Sequence, residues 1–157
     1  MSRHTASVRW ARGDAAFTDL RYSRRHTWHF DGGVDVPASS SPHSVKVPYS
    51  AEDAVDPEEA FVASIASCHL LWFLSIAAER GFVVERYVDD AEGFLERGAD
   101  GKAWVTRATL RPAIAFAGAR KPSPDELVAM HDEAHHACFI ANSVKTVVTC
   151  EPAELRD

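Results

Sequence analysis

One segment constrains the fold more than any other, a long apolar stretch that follows a strong helix-start signal. Asp56 is suited to cap the helix, Pro57 to occupy its first position, and Glu59 to bond back to the Asp56 amide. Gly81 supplies the left-handed residue that commonly ends a helix. Between these ends, the apolar residues of Phe61 to Ala78 cover most of the helix circumference. The sequence therefore predicts a central core helix that is buried on several sides.

The rest of the chain has the pattern of strands and one further helix. Ser123, Pro124 and Glu126 repeat the capping signals and predict a second helix through about Ala137. Asp100-Gly101 suits a tight turn, so a hairpin is expected there. The predicted strands are Ala6–Trp10, Arg21–Phe30, Val45–Val47 within an irregular connection over Val34–Val55, Val83–Leu95, Lys102–Arg111 and Lys145–Cys150, with Ala113–Phe116 broken up by Pro112 and Gly118. This order predicts an α+β fold with both helices packed on an antiparallel sheet.

Size and charge narrow the class of protein. A chain of 157 residues fits a single domain over residues 1–157. The formal net charge of -6 and the absence of a sustained Lys/Arg run argue against a nucleic-acid partner. Met1 to Gly13 has no continuous apolar run, so we expect a soluble, cytoplasmic protein without a membrane partner. Three cysteines in such a compartment favour a catalytic disulfide over a structural one.

Two cysteine segments resemble a known family. Residues 56–69 read DPEEAFVASIASCH, which resembles the NPEELLxAAxxxC signature of the OsmC/Ohr family. Residues 134–144, AHHACFIANSV, are similar to the second-cysteine segment of that family. The resemblance implies an OsmC-like α+β fold, an intertwined homodimer with active sites at its interface, and a thiol-dependent peroxidase that reduces organic hydroperoxides to alcohols.

The resemblance also implies roles for particular residues. Cys68 takes the place of the peroxidatic cysteine, Cys138 that of the resolving cysteine, and Glu58 that of the signature glutamate. No cofactor is implied; an external small dithiol or a lipoylated protein would reduce the disulfide. Glu58 precedes Cys68 by ten residues, which in a regular helix is about 15 Å of rise. Either the helix breaks between them, or Glu58 serves the Cys68 of a partner chain.

Activation of Cys68 requires a cation from outside its own helix, because the helix dipole acts only over the first turn and Cys68 lies about twelve residues in. The family draws an arginine from the N-terminal strand region. There the chain reads RYSRRHTW, which resembles a YSRxHxW form in one branch of the family. This match favours Arg24 over Arg21 and Arg25 as the partner of Cys68.

Two other classes of function remain open. His131, His135 and Cys138 lie at i, i+4 and i+7 of the second helix and are ligand types that zinc accepts, so a zinc-binding protein is one alternative. The other is a non-catalytic OsmC-like protein that binds a hydrophobic ligand or a protein partner and keeps its cysteines as inert core residues. Cys150, at the end of the last strand, has no nearby partner motif and is interpreted as structural.

Overall fold

The protein is described here from a computed structural model, which covers residues 1–155. In chain order its elements are β1 (Ala6–Arg9), β2 (His26–Phe30), β3 (Asp35–Ala38), α1 (Pro57–Glu79), β4 (Val83–Asp89), β5 (Glu92–Arg97), β6 (Ala103–Leu110), β7 (Pro112–Ala117), α2 (Pro124–Ala137), a 3₁₀ turn (Ala141–Ser143) and β8 (Val147–Cys150). The α+β class predicted from the sequence is confirmed.

The chain divides into two compact units, residues 1–60 and the residues from 61 onward. The boundary lies within α1, whose first turn belongs to the first unit. The expectation of a single domain over residues 1–157 stays a prediction.

The first unit is a three-stranded antiparallel sheet in the order β1-β2-β3. Trp28 of β2 pairs with Val8 on one side and Val36 on the other. The predicted strand Val45–Val47 is wrong, since that stretch forms turns. β3 was missed because it contains Pro37, which cannot donate to a ladder and is tolerated here because β3 is an edge strand.

The second unit contains two small sheets, one of β4 and β7 and one in the order β5-β6-β8. The predicted strand Val83–Leu95 is two strands that enter different sheets, and Ala113–Phe116 lies in β7 rather than in an irregular segment. The hairpin at Asp100-Gly101 is confirmed, with Gly101 at a φ of 78°. β8 pairs in parallel with β6, so the sheet is not purely antiparallel.

Helix α1 begins and ends as its sequence predicts. The Asp56 carboxylate accepts from the Glu59 amide at 2.8 Å, and the Glu59 carboxylate accepts from the Asp56 amide at 3.1 Å. Gly81 follows the helix at a φ of 75°. This reciprocal pair satisfies two of the amide groups that a helix start leaves free. Helix α2 has the same arrangement at Ser123 and Glu126.

The buried side chains of α1 lie on one face, which corrects the expectation of burial on several sides. The buried residues fall within an arc of about 120°: Ile65, His69, Phe73, Ile76 and Ala77. On the opposite face, Leu71 is 62% exposed. The helix also has the length and hydropathy of a membrane span, a test that core helices of soluble proteins pass as well. Its buried face lies among strands and α2, the position of a core helix.

Two clusters of apolar side chains pack around that face of α1. The larger one comprises Phe73, Ile76, Ala77, Phe82, Met130 and Ala134, and the smaller one Ile65, Ala108 and Leu110. β5 approaches α1 so closely that a Cβ on Gly93 would lie 2.5 Å from Cγ2 of Val62. The clusters hold α1 between α2 and the sheet strands, which sets the positions of its polar residues.

Candidate active site

Cys68 and Cys138 are brought together within the second unit. Cys68 lies in the middle of α1 and is partly exposed, whereas Cys138 is 1% exposed and caps the C-terminus of α2. Both are free thiols. Burial, and then a side-chain interaction with the neighbouring Cys68, raises the pKa of Cys138 to about 11. The Cys138 thiol is therefore protonated at neutral pH.

The end of α2 explains how Cys138 is oriented. Cys138 has extended backbone angles, and its amide donates to the carbonyl of His135 at 3.2 Å. The amide of Ala141, in the 3₁₀ turn that follows, donates to Sγ of Cys138 at 3.3 Å. The side chain therefore projects from a helix end rather than from a helix interior.

Cys68 lines a cavity of about 240 Å³ with Leu71, Trp72, Ser75 and Phe139. The rings of Trp72 and Phe139 meet edge to face at 5.5 Å between centroids. Phe139 is nevertheless 69% exposed, so it forms one rim of the cavity rather than its floor. The surroundings of the Cys68 sulfur are thus mainly aromatic and aliphatic.

Arg24 lies in the first unit, in a second cavity of about 390 Å³. Its other lining residues are Trp10, Phe17, Tyr22, His26, Ser39, Ser40 and Pro57. The Arg24 guanidinium lies over the Tyr22 ring at 4.0 Å and donates to the carbonyls of Leu20 and Tyr22 at 2.6 and 2.5 Å. These contacts hold the guanidinium beside an aromatic wall.

The neighbouring arginines have other partners. Arg25 pairs with Asp53, and Arg21 donates to the Tyr49 hydroxyl at 3.1 Å. Glu58 lies in the first turn of α1, directly after Pro57 of the Arg24 cavity. Helix α1 runs without a break from Pro57 to Glu79, so the first of the two alternatives for Glu58 is wrong. The assignment of Arg24 and Glu58 to the site of Cys68 stays a prediction.

A third group of reactive side chains lies in the core of the second unit. Nε2 of His69 lies 3.0 Å from Nδ1 of His131 and 3.8 Å from Sγ of Cys150. Burial lowers the pKa of both histidines to about 4, with the charges of His131 and His135 adding to the effect at His69. Burial, and then the charge of Asp89, raises the pKa of Cys150 to about 12.

This group corrects two interpretations of the sequence. The sequence suggested His131, His135 and Cys138 as a zinc-binding set. In the described residues, the potential ligand atom of His131 instead lies close to those of His69 and Cys150. Cys138 instead contacts Cys68. Cys150 does have polar neighbours, but they are distant in sequence, so no local spacing pointed to them.

Comparison with known proteins now identifies the fold and family. The family model described as OsmC-like protein matches residues 50–152, more than half of the chain. The chain belongs to the OsmC-like protein family. In sequence, no curated protein matches it.

Solved structures of OsmC-like proteins superpose on the chain over nearly its whole length. An OsmC-like protein of unknown function from Vibrio cholerae has a TM-score of 0.95 and 55% identity, with coverage of 98% of this chain and 100% of that one. The organic hydroperoxide resistance protein OhrB of Bacillus subtilis has a TM-score of 0.67 and 15% identity, covering 97% and 98%. An organic hydroperoxide resistance protein from Elizabethkingia anophelis has a TM-score of 0.69 and 13% identity, with coverage of 98% of this chain and 98% of that one. The last two likenesses show the fold alone.

Proposed function

We propose that this OsmC-like protein is a thiol-dependent peroxidase that reduces organic hydroperoxides to alcohols. The observation that carries the proposal is the contact between the Cys68 and Cys138 thiols beside an apolar cavity that opens at Cys68. Membership of the OsmC-like family and the likeness in fold to organic hydroperoxide resistance proteins support it. The protein is proposed to act in the cytoplasm without a cofactor.

Cys68 is the attacking residue in this mechanism, because it lines the cavity, whereas Cys138 is buried and protonated. The Cys68 thiolate attacks the terminal oxygen of the hydroperoxide. The O–O bond breaks, and the departing alkoxide takes up the proton that Cys68 gave up. The products are an alcohol and a sulfenic acid on Cys68. Sulfur has lost two electrons, and the peroxide has gained them.

Cys138 then resolves the sulfenic acid. Its sulfur bonds to that of Cys68 while the S–O bond breaks, and the hydroxyl leaves as water with the Cys138 proton. Because Cys138 is at a helix end and already contacts Cys68, this step needs only a local rotation. A small dithiol or a lipoylated protein returns two electrons and restores both thiols.

The cavity favours a substrate with an apolar group. Leu71, Trp72 and Phe139 contribute most of its wall, and Ser75 contributes a hydroxyl. Its volume of about 240 Å³ is enough for a compact alkyl or aryl group. Burial of such a group stabilises the bound state by about 25 cal/mol per Å² of apolar surface, a gain that hydrogen peroxide cannot provide.

We also propose that Arg24 and Glu58 act on the Cys68 of a partner chain in a homodimer. A guanidinium beside Cys68 would favour its thiolate and stabilise charge on the breaking peroxide, and Glu58 would orient the guanidinium. Continuity of α1 supports the partner as the source of Glu58. Coexpression of Cys68→Ser and Glu58→Gln chains tests this, since each homodimer is inactive but a mixed dimer would retain one intact site. If Glu58 acts within its own chain, mixing restores no activity.

The central test is stoichiometric oxidation with tert-butyl hydroperoxide in the presence of a chelator. We expect one equivalent to remove two of the three thiols and produce a Cys68–Cys138 disulfide, which peptide mapping identifies. Cys68→Ser should consume no peroxide, and Cys138→Ser should accumulate a sulfenic acid on Cys68 that dimedone traps. Retention of all three thiols would refute the peroxidase and favour the non-catalytic, ligand-binding alternative.

A further inference from the structure

The core of the second unit contains polar groups that its packing does not satisfy. In the described residues, six buried side-chain polar atoms lack a hydrogen-bond partner, and four of them belong to His69, His131, Tyr87 and Asp89. The ring of Phe73 stacks on His131 at 4.5 Å and lies 5.8 Å from the ring of Tyr87. The two unpartnered histidine atoms are Nδ1 of His69 and Nε2 of His131, which are not the nitrogens that face each other, so an ion between the rings would not satisfy them. The candidate ligand atoms are instead Nε2 of His69, Nδ1 of His131 and Sγ of Cys150.

We propose that His69, His131 and Cys150 form a binding site for one zinc ion. Imidazole nitrogen and thiolate sulfur are the donor types that zinc prefers. The three ligand atoms lie within 4.8 Å of one another. The site is independent of the proposed peroxidase chemistry, which uses the two other cysteines.

The distances between the donor atoms fit a single ion. Bonds of 2.0 to 2.1 Å to nitrogen and 2.3 Å to sulfur at tetrahedral angles place two nitrogens about 3.3 Å apart and a nitrogen and sulfur about 3.6 Å apart. The corresponding separations here are 3.0 Å between the imidazoles and 3.8 Å between His69 and Cys150. These two separations match to within a few tenths of an ångström, and the third, between His131 and Cys150, is at most 4.8 Å and would shorten by up to about 1.2 Å on binding.

A cation would satisfy the lone pairs of the donor groups better than their contacts with one another do. Two neutral imidazoles facing nitrogen to nitrogen share a single proton, so they form one hydrogen bond, whereas a cation takes the lone pair of each. Cys150 would bind as the thiolate and release its proton to solvent. The surrounding charge favours a cation: the carboxylates of Asp89, Asp132 and Glu151 all act on the Cys150 thiol.

The ion would join three elements that are distant in sequence. His69 lies on α1, His131 on α2 and Cys150 at the end of β8. Because α1 and α2 also carry Cys68 and Cys138, a bound ion would hold together the two helices that position the thiol pair. Cys150 is partly exposed and provides the side from which an ion enters.

Cobalt titration of the reduced, chelator-treated protein tests the site. We expect one Co²⁺ per chain, with a near-ultraviolet thiolate-to-cobalt band and visible bands typical of tetrahedral coordination, and zinc should displace the cobalt. Zinc should also raise the melting temperature of the wild-type protein. Absence of the thiolate band would overturn the proposal, and this result requires no variant.

Variants distinguish this site from the other histidine and cysteine set. Cys150→Ser should abolish the thiolate band, and His131→Asn should weaken cobalt binding at least tenfold. His135→Asn and Cys138→Ser are the matched controls and should leave the spectrum unchanged. If the controls abolish the band while Cys150→Ser retains it, the proposed site is wrong. Melting curves of the metal-free variants establish that each is folded.

Discussion

Acidification should destabilise the metal-free protein through two buried histidines. His69 is 1% exposed and His131 is 3% exposed, and burial lowers the pKa of each from 6.5 to about 4. The folded state therefore binds fewer protons than the unfolded state between these values. Stability from this source is present above pH 6.5 and is lost as the pH falls toward 4.

The size of this loss of stability follows from the difference in proton binding between the folded and unfolded states. Between pH 7 and pH 5, each histidine lowers the free energy of unfolding by about 2 kcal/mol, so the pair accounts for about 4 kcal/mol. This is a large share of the 5 to 15 kcal/mol that is typical of a small domain, so unfolding near pH 5 should need much less denaturant.

Urea unfolding at pH 7, 6 and 5 in the presence of a chelator measures the effect. His131→Gln removes one titrating ring while retaining a polar side chain, so its loss of stability over this range should be about half that of the wild type. His136→Gln, on the exposed side of α2, is the matched control and should keep the wild-type slope. Equal unfolding free energies at pH 7 and 5, or an unchanged slope in His131→Gln, would refute the reasoning.

Three further perturbations test the thiol site and the packing beneath it. Phe139→Ala removes one rim of the Cys68 cavity and should raise KM for cumene hydroperoxide about tenfold in steady-state assays. Val128 lies on α2 and is 55% exposed, so Val128→Ala is the control and should leave KM unchanged. Cys138, with a pKa of about 11 against 9, should react with iodoacetamide about a hundredfold more slowly at pH 8 in the folded than in the unfolded protein, as followed by mass spectrometry. Gly93→Ala would place a Cβ against Val62 and should lower the unfolding free energy by about 1 to 3 kcal/mol in urea titrations. An unchanged unfolding free energy would contradict this expectation.

Elements with local signals were predictable, and those defined by distant pairing were not. Capping pairs are separated by three residues, so both helix starts could be predicted from sequence. β4 and β5 are separated by only two residues, and their pairing with β7 and β6 respectively divides them between two sheets. The parallel pairing of β8 with β6 likewise depends on a partner about forty residues away. Such pairing leaves no local mark on the sequence.

In the candidate site, too, residues with a local sequence signal were predictable, and residues that meet only through distant contacts were not. Cys68 and Cys138 were predictable because each belongs to a segment that resembles the family. His69 adjoins Cys68, yet its partners are 62 and 81 residues away, so no spacing could connect them. His131 was singled out as a ligand, but helical spacing paired it with His135 and Cys138. The structure shows that its neighbours lie across the core rather than along α2.

The adjacency of Cys68 and His69 links the two sets of side chains. Consecutive helical residues differ by about 100° in direction, so α1 turns Cys68 toward the cavity and His69 into the core. Protonation of His69 would therefore loosen the packing of α1 against α2 while leaving the Cys68 thiol itself untouched. If the proposed peroxidase activity falls between pH 6 and 5 because His69 and His131 become protonated, activity and unfolding free energy should fall together. Zinc bound at His69 and His131 should then protect both the activity and the stability.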